Sequence, residues 1–173
     1  MIYGNLGSFN DTVEHQYLTF MLGDEMFAIS AMSIKEIITY GNVTQIPSMN
    51  DYIDGITNVR GNVIPVILLS LRFELPFVEP TTKTCVIIVR IAYEDEKCDI
   101  GLVVDKVDRV YDILPQNMEE IPKFGTKVRR EFLHKIGKVE GKFISILDNN
   151  AILNMDEISQ VESYKGSKRS IDV

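Results

Sequence analysis

Side chains able to do covalent or proton-transfer chemistry are sparse in this sequence and scattered along it. The two histidines, His15 and His134, stand far apart, the first in a segment with little hydrophobic patterning. No GxSxG elbow, phosphate-cradling GxxxxGK(S/T), zinc-binding HExxH or dinucleotide-binding GxGxxG occurs. Asp51 and Asp54, three apart, could share a helical face as an acid–base pair. A solvated surface turn accounts for them more simply. Glu94-Asp95-Glu96 offers carboxylates to a cation, yet a polar hairpin loop needs no such role. Asp105, Asp108 and Asp112 read as the wet face of a strand, and Met21, Met26, Met32 and Met49 as core filling or an adaptable contact surface. These residues define no catalytic group, no metal-ligand set and no cofactor site, so the chain reads as a non-enzyme.

The elements that would have to position any site are strands. Residues 17–22 and 26–29 flank Gly23-Asp24-Glu25 as a hairpin, and 34–40 form a β-branched run ended by Gly41-Asn42. Residues 56–60 and 63–68 flank Gly61-Asn62, with Pro65 implying an edge or bulged position because it cannot donate to a ladder. Strands follow at 84–91, 99–104, 107–111, 133–139 and 142–147, with a short helix at 127–132 and helical spacing in 149–161. Residues 1–15 read as a flexible segment, 16–156 as the folded unit and 157–173 as a helical or disordered tail. The class is all-β with one or two short helices.

Composition narrows the function further. Of 173 residues 45% are hydrophobic, and acidic residues outnumber basic ones 25 to 18, for a net charge of −7. A phosphate-contacting protein carries the opposite balance or a dense basic stripe, so nucleic acid is not expected as a partner. No apolar run reaches the ~18 residues of a membrane span, and residues 1–11 lack the pattern of a secretory signal. Cys85 and Cys98 would sit at opposite ends of one hairpin, about 20 Å apart at the rise of a strand. Two thiols in a reducing cytoplasm is the reading that follows.

The two halves resemble each other. Shifted by 80 positions, Ile56, Val59, Gly61, Ile64, Val66 and Ile67 fall on Ile136, Val139, Gly141, Ile144, Ile146 and Leu147. Shifted by 73, Phe27, Ile29, Ile34 and Ile37 fall on Ile100, Leu102, Val107 and Val110. A glycine turn is kept in register, which predicts two similar small barrels.

The most informative stretch runs from Gln45-Ile46-Pro47 to Tyr52-Ile53-Asp54-Gly55-Ile56-Thr57-Asn58-Val59-Arg60-Gly61 and on to Ile64-Pro65-Val66-Ile67. From residue types alone it is a surface hairpin with Arg60 laid along apolar surface. It also resembles the central signature of the CheW family of chemotaxis adaptors, a Gly-Val-Ile-Asn-Leu-Arg-Gly-like run before an Ile-Pro-Val strand. The resemblance continues in residues 20–29, in Ile34-Lys35-Glu36-Ile37, and in Ile100-Gly101-Leu102-Val103-Val104-Asp105-Lys106-Val107, in family order and over about 16–156. One departure stands out: the family continues Pro-Val-x-Asp-Leu-Arg, and this chain has Leu68 where the aspartate falls.

The resemblance implies two SH3-like β-barrels around a shared hydrophobic core and a scaffold with no chemistry or cofactor of its own. It implies binding to the cytoplasmic tip of methyl-accepting chemoreceptors and to the regulatory domain of the histidine kinase CheA, with the kinase face built from apolar strand ends of one barrel. It implies a cytoplasmic protein that meets the membrane only indirectly, in receptor arrays. Carried over by position, Glu36, Arg60 and the turn residue Gly61 engage partners, and Ile34, Ile37, Asn58, Val104, Val107 and Val110 line or border a receptor groove. Glu36 and Arg60 are expected on neighbouring strands as an ion pair. The repeat then predicts a charge-reversed pair, Arg109 with Glu140. A small-ligand or cation sensor using the 94–97 loop is the alternative.

Overall fold

The computed structural model describes residues 13–47, 50–154, 156, 157 and 159. Most of the N-terminal segment, Met49 and the tail from 160 lie outside the described residues. The strands are β1 Gln16–Leu22, β2 Glu25–Ser30, β3 Ile34–Thr39, β4 Ile53–Val59, β5 Asn62–Leu68, β6 Cys85–Tyr93, β7 Glu96–Val104, β8 Lys106–Asp112, β9 Met118–Glu119, β10 Leu133–Val139 and β11 Lys142–Leu147. They form two sheets, in the orders β8-β1-β2-β11-β10-β9 and β3-β6-β7-β5-β4.

These orders are one topology written twice. Exchanging β1 with β6, β2 with β7, β3 with β8, β4 with β10 and β5 with β11 turns β8-β1-β2-β11-β10 into β3-β6-β7-β5-β4. Each sheet takes a hairpin from one half of the chain and three strands from the other, and the six-stranded sheet adds the two-residue β9. Register follows the same rule. The parallel pairs Ile146↔Ala28 and Val66↔Gly101 are related by the shifts of 80 and 73. A bulge interrupts β3 against β6 between Ile34 and Glu36, and another interrupts β8 against β1 between Val107 and Val110. Closure is repeated too. Thr44 bridges to Ile56 on the free edge of β4, and Glu119 pairs with Ile136 on β10. The result is two small barrels, as expected.

Alternating side chains then define three cores. The largest lies between the sheets and includes Leu18, Phe20, Phe27, Ile29, Ile87, Val89, Ile100, Leu102, Val104 and Phe132. One barrel interior holds Ala28, Tyr111, Ile113, Ile144 and Ile146, the other Ile64, Val66, Val86, Ile88 and Val103. An exchanged-strand fold around one central core cannot be separated into independent halves.

Several expectations need correction. Pro65 lies on an inner strand, not an edge or bulge. It is tolerated opposite Ile56 because Ile56 turns both its N–H and its C=O outward to Thr44 (2.9 and 2.8 Å) and asks Pro65 for no donor. A four-residue helix, α1 Leu69–Arg72, follows β5 directly; Leu68 occupies its N-cap without a side-chain hydrogen bond. The helix expected at 127–132 is a single 3-10 turn, Arg130–Phe132. Asp105 and Asp108 are engaged: Asp105 Oδ2 accepts from the Gly23 N–H at 2.6 Å, and Asp108 Oδ2 lies 3.7 Å from the Nε of its neighbour Arg109. Met32 fills no core, being 66% exposed. Cys85 and Cys98 pair with Val104 and Ile91, at opposite ends of the β6–β7 hairpin as expected.

Candidate functional site

The β4–β5 connection is a two-residue turn, Val59 pairing with Asn62, with Arg60 and Gly61 both at positive φ (53° and 85°). That backbone matches the right-handed twist of a hairpin and favours glycine at its second position. Asn58 locks it, its Oδ1 accepting from the Gly61 N–H at 2.9 Å. Arg60 is thereby projected outward, and its Nε lies 3.4 Å from Glu36 Oε2. The expected pair exists, but not on neighbouring strands. β3 and β4 are the opposite edges of their sheet, and Arg60 reaches across only because the barrel closes.

The remaining candidates divide by face. Glu36 is opposite Ile88, whose side chain belongs to the barrel interior, so Glu36, Arg60, Asn58 and Gly61 gather at the barrel mouth. Ile34 and Ile37 turn the other way and pack, half-buried, on the core between the sheets, as does Val110. Val107 is 6% exposed and Val104 fully buried in that core. Ile34 and Ile37 are the repeat counterparts of Val107 and Val110, so the edge strands β3 and β8 offer similar aliphatic rows to the shared core. The structure thus separates a charged mouth from an aliphatic seam, and Val104 has no surface to present.

Around the mouth lie charges that sequence reasoning missed. Asp99 accepts from Lys35 Nζ (2.8 Å) and Arg90 Nε (3.0 Å). Burial opposes its ionisation, but the two cations outweigh that and hold its carboxyl below the usual range. At the opposite end of β4 from Arg60, Asp54 stands on the strand and not on a solvated turn: its Oδ2 accepts from the Tyr40 hydroxyl at 2.6 Å, and burial together with that carboxylate pushes the phenol up to about 12. No spacing rule links Lys35, Arg90 and Asp99; only the register of three adjacent strands does.

The second barrel does not repeat the ion pair. Arg109 Nε lies 3.7 Å from Asp108 Oδ2, and its guanidinium sits 5.3 Å from the centre of the Tyr111 ring. No ion pair joins Arg109 to Glu140. The bulge there is fixed by the buried Thr19, whose hydroxyl donates to the Arg109 carbonyl (2.7 Å) and accepts from the Arg109 N–H (3.2 Å). Its counterpart on β6 is Ile88, which has no hydroxyl to offer. Among the described residues, no three His, Cys, Asp or Glu side chains gather as a metal site. Nor is any helix there long and apolar enough to cross a membrane.

Two intertwined SH3-like barrels around a common core, with charge at one mouth and aliphatic edge strands along the seam, define a module built of surfaces. The model of the CheW-like domain family matches residues 16–157, and the chain belongs to that family. A chemotaxis protein CheW of Bacillus subtilis is 34% identical over 80% of this chain and 86% of its own length. One from Klebsiella aerogenes is 29% identical over 91% and 92%. The crystal structure of the scaffolding protein TtCheW from Thermoanaerobacter tengcongensis superimposes with a TM-score of 0.75 at 28% identity, covering 83% of this chain and 90% of that one.

Proposed function

We propose that this protein is a non-enzymatic scaffold that couples methyl-accepting chemoreceptors to the histidine kinase CheA, and that residues 16–156 are the functional unit. The observation that carries this reading is the family match across both barrels, together with a charged mouth in which Glu36 and Arg60 are held by closure of the fold. A receptor tip is helical. It requires an apolar strip with a few charges to fix register, which the half-buried seam residues (Ile34, Ile37 and Val110) and the mouth (Glu36, Asn58, Arg60 and Gly61) supply. Val104 and Val107, both buried, support that strip from beneath. The kinase regulatory domain takes apolar strand ends of one barrel. The protein works in the cytoplasm and reaches the membrane only through receptor arrays.

Reconstitution tests the proposal. With purified receptor cytoplasmic fragment and kinase, adding this protein should raise kinase autophosphorylation and place it under receptor control, with no turnover of its own. Identical kinase activity with and without it would refute the scaffold reading.

A further inference from the structure

The bulge in β3 has a consequence for the charges at the barrel mouth. Ile34 pairs with Val89 and Glu36 with Ile88, so Lys35 is one residue too many against β6. Ile34 and Ile37 both rest on the core between the sheets, and the two residues between them turn to the opposite face. Glu36 shares that face with its partner Ile88, hence with Arg90 two residues further along β6, and with Asp99 opposite Arg90 on β7. Lys35 reaches the same face, since its ammonium touches Asp99. An ammonium and a carboxylate on adjacent residues of one face would ordinarily find each other. Here they do not: Lys35 Nζ lies 2.8 Å from Asp99 Oδ2, and Glu36 is left to Arg60 at 3.4 Å.

We propose that Asp99 is a positioning residue: by holding Lys35 and Arg90 it keeps both cations off Glu36 and reserves that carboxylate for Arg60 at the barrel mouth. Asp99 is suited to this, being only 17% exposed and flanked on both oxygens, whereas Arg60 is 81% exposed and could not outcompete a neighbouring lysine at close range. Removing the Asp99 charge frees Lys35, one residue away, to take Glu36. The partner's view of the mouth then changes. The consequence for binding rests on the receptor reading above, while the sequestration is a property of the protein alone.

The two are tested separately. In the free protein at neutral pH, the contact made by Glu36 is read from the chemical shift of its carboxyl carbon, which changes when the cation beside it changes. The charged groups that face it are Arg60 from the β4–β5 turn, Lys35, Arg90 and Asp99. With Asp99 present, Arg60→Asn should change that resonance and Lys35→Met should change it far less. With Asp99→Asn the dependence should reverse. A Glu36 resonance that responds more to Lys35→Met than to Arg60→Asn with Asp99 intact, or one still governed by Arg60 after Asp99→Asn, overturns the proposal. The first of these needs no Asp99 variant to fold. In the second arm, Asp99→Asn should weaken binding of a receptor cytoplasmic fragment roughly three- to tenfold, and adding Lys35→Met should restore it to within about twofold. Weakening without restoration also counts against sequestration. If Glu36→Gln and Arg60→Asn leave receptor affinity unchanged, the receptor reading fails and the NMR arm still decides the role of Asp99.

Discussion

Glu36 and Arg60 meet at 3.4 Å from the two opposite edges of one five-stranded sheet, so their contact records the closure of the barrel. Closure also depends on the bridge between Thr44 and Ile56, which carries the chain from one edge to the other. The ion pair itself adds little, because an exposed pair contributes only ~0–1 kcal/mol.

That difference between position and energy gives a clean variant. Arg60 occupies a left-handed backbone position ahead of Gly61, where asparagine is the favoured residue. Arg60→Asn should therefore keep or slightly raise the melting temperature while it weakens binding of a receptor fragment. Thermal melts beside binding isotherms check both. Full affinity in the folded variant would remove Arg60 from the partner surface.

Much of this architecture is legible before any coordinates. Glycine-centred turns mark the hairpins, and the β6–β7 register that separates Cys85 from Cys98 follows from simple alternation. The shifts of 73 and 80 locate equivalent strands. They do not reveal that β3 and β8 are exchanged between sheets, because periodicity describes a strand's faces and not its neighbours. The same limit misplaced Glu36 and Arg60 on adjacent strands. The Arg109–Glu140 expectation fails for another reason: a long guanidinium side chain chooses among several nearby groups, and Asp108 and the Tyr111 ring are nearer. α1 was invisible because a four-residue helix capped by Leu68 carries no start signal.

Arg72 is a second residue with no sequence signal. Its guanidinium stacks between Tyr52 and Phe132, 4.6 and 4.8 Å from the ring centres. It donates to the Ile152 carbonyl (2.6 Å) and to Glu157 Oε1 (3.0 Å). Glu157 also accepts from the Asn154 N–H and donates its own N–H to Asn154 Oδ1, a reciprocal cap that fixes the C-terminal turn. Both charges are largely buried, at 12% and 9% side-chain exposure. Breaking such a pair costs about 3–5 kcal/mol, because one charge is left uncompensated. Arg72→Ala should lower the melting temperature by roughly 10 °C. Arg72→Lys should recover little of that, since an ammonium cannot stack flat between two rings while bonding two acceptors. A melt unchanged by either variant would contradict this.

Tyr40 gives a pH dependence of known sign. Its phenol is raised from 10.0 to about 12, by burial first and then by Asp54. The folded state thus holds the proton more tightly than the unfolded chain. The stability this supplies is present below pH 10 and disappears as pH rises through about 12. Tyr40→Phe should flatten the alkaline limb of a stability-versus-pH curve. Phenolate absorbance should also lose one late-titrating group. A Tyr40→Phe protein with the same alkaline limb as wild type would show that the folded state holds the Tyr40 proton no more tightly than the unfolded chain does.

The repeat yields a last test, at Gly101. Its counterpart Ala28 carries a methyl group in the other barrel, and both residues sit at the parallel strand contact. A Cβ on Gly101 would lie 2.7 Å from Val86 Cγ1 and 3.4 Å from Ile88 Cδ1. Two effects oppose each other. Alanine in place of glycine restricts the unfolded chain, which is worth about 0.4–1 kcal/mol where the backbone allows it. The clash with a β-branched valine, which has little rotamer freedom to yield, costs more, typically ~1–3 kcal/mol in a packed core. Gly101→Ala should therefore destabilise the protein in urea denaturation despite the alanine at the equivalent site. Val86→Ala removes the offending methyl, so in the Gly101→Ala background it should cost less than it does alone. Strict additivity of the two changes, or a neutral Gly101→Ala, would mean that the strand contact relaxes and that the barrels tolerate the same residue at equivalent positions.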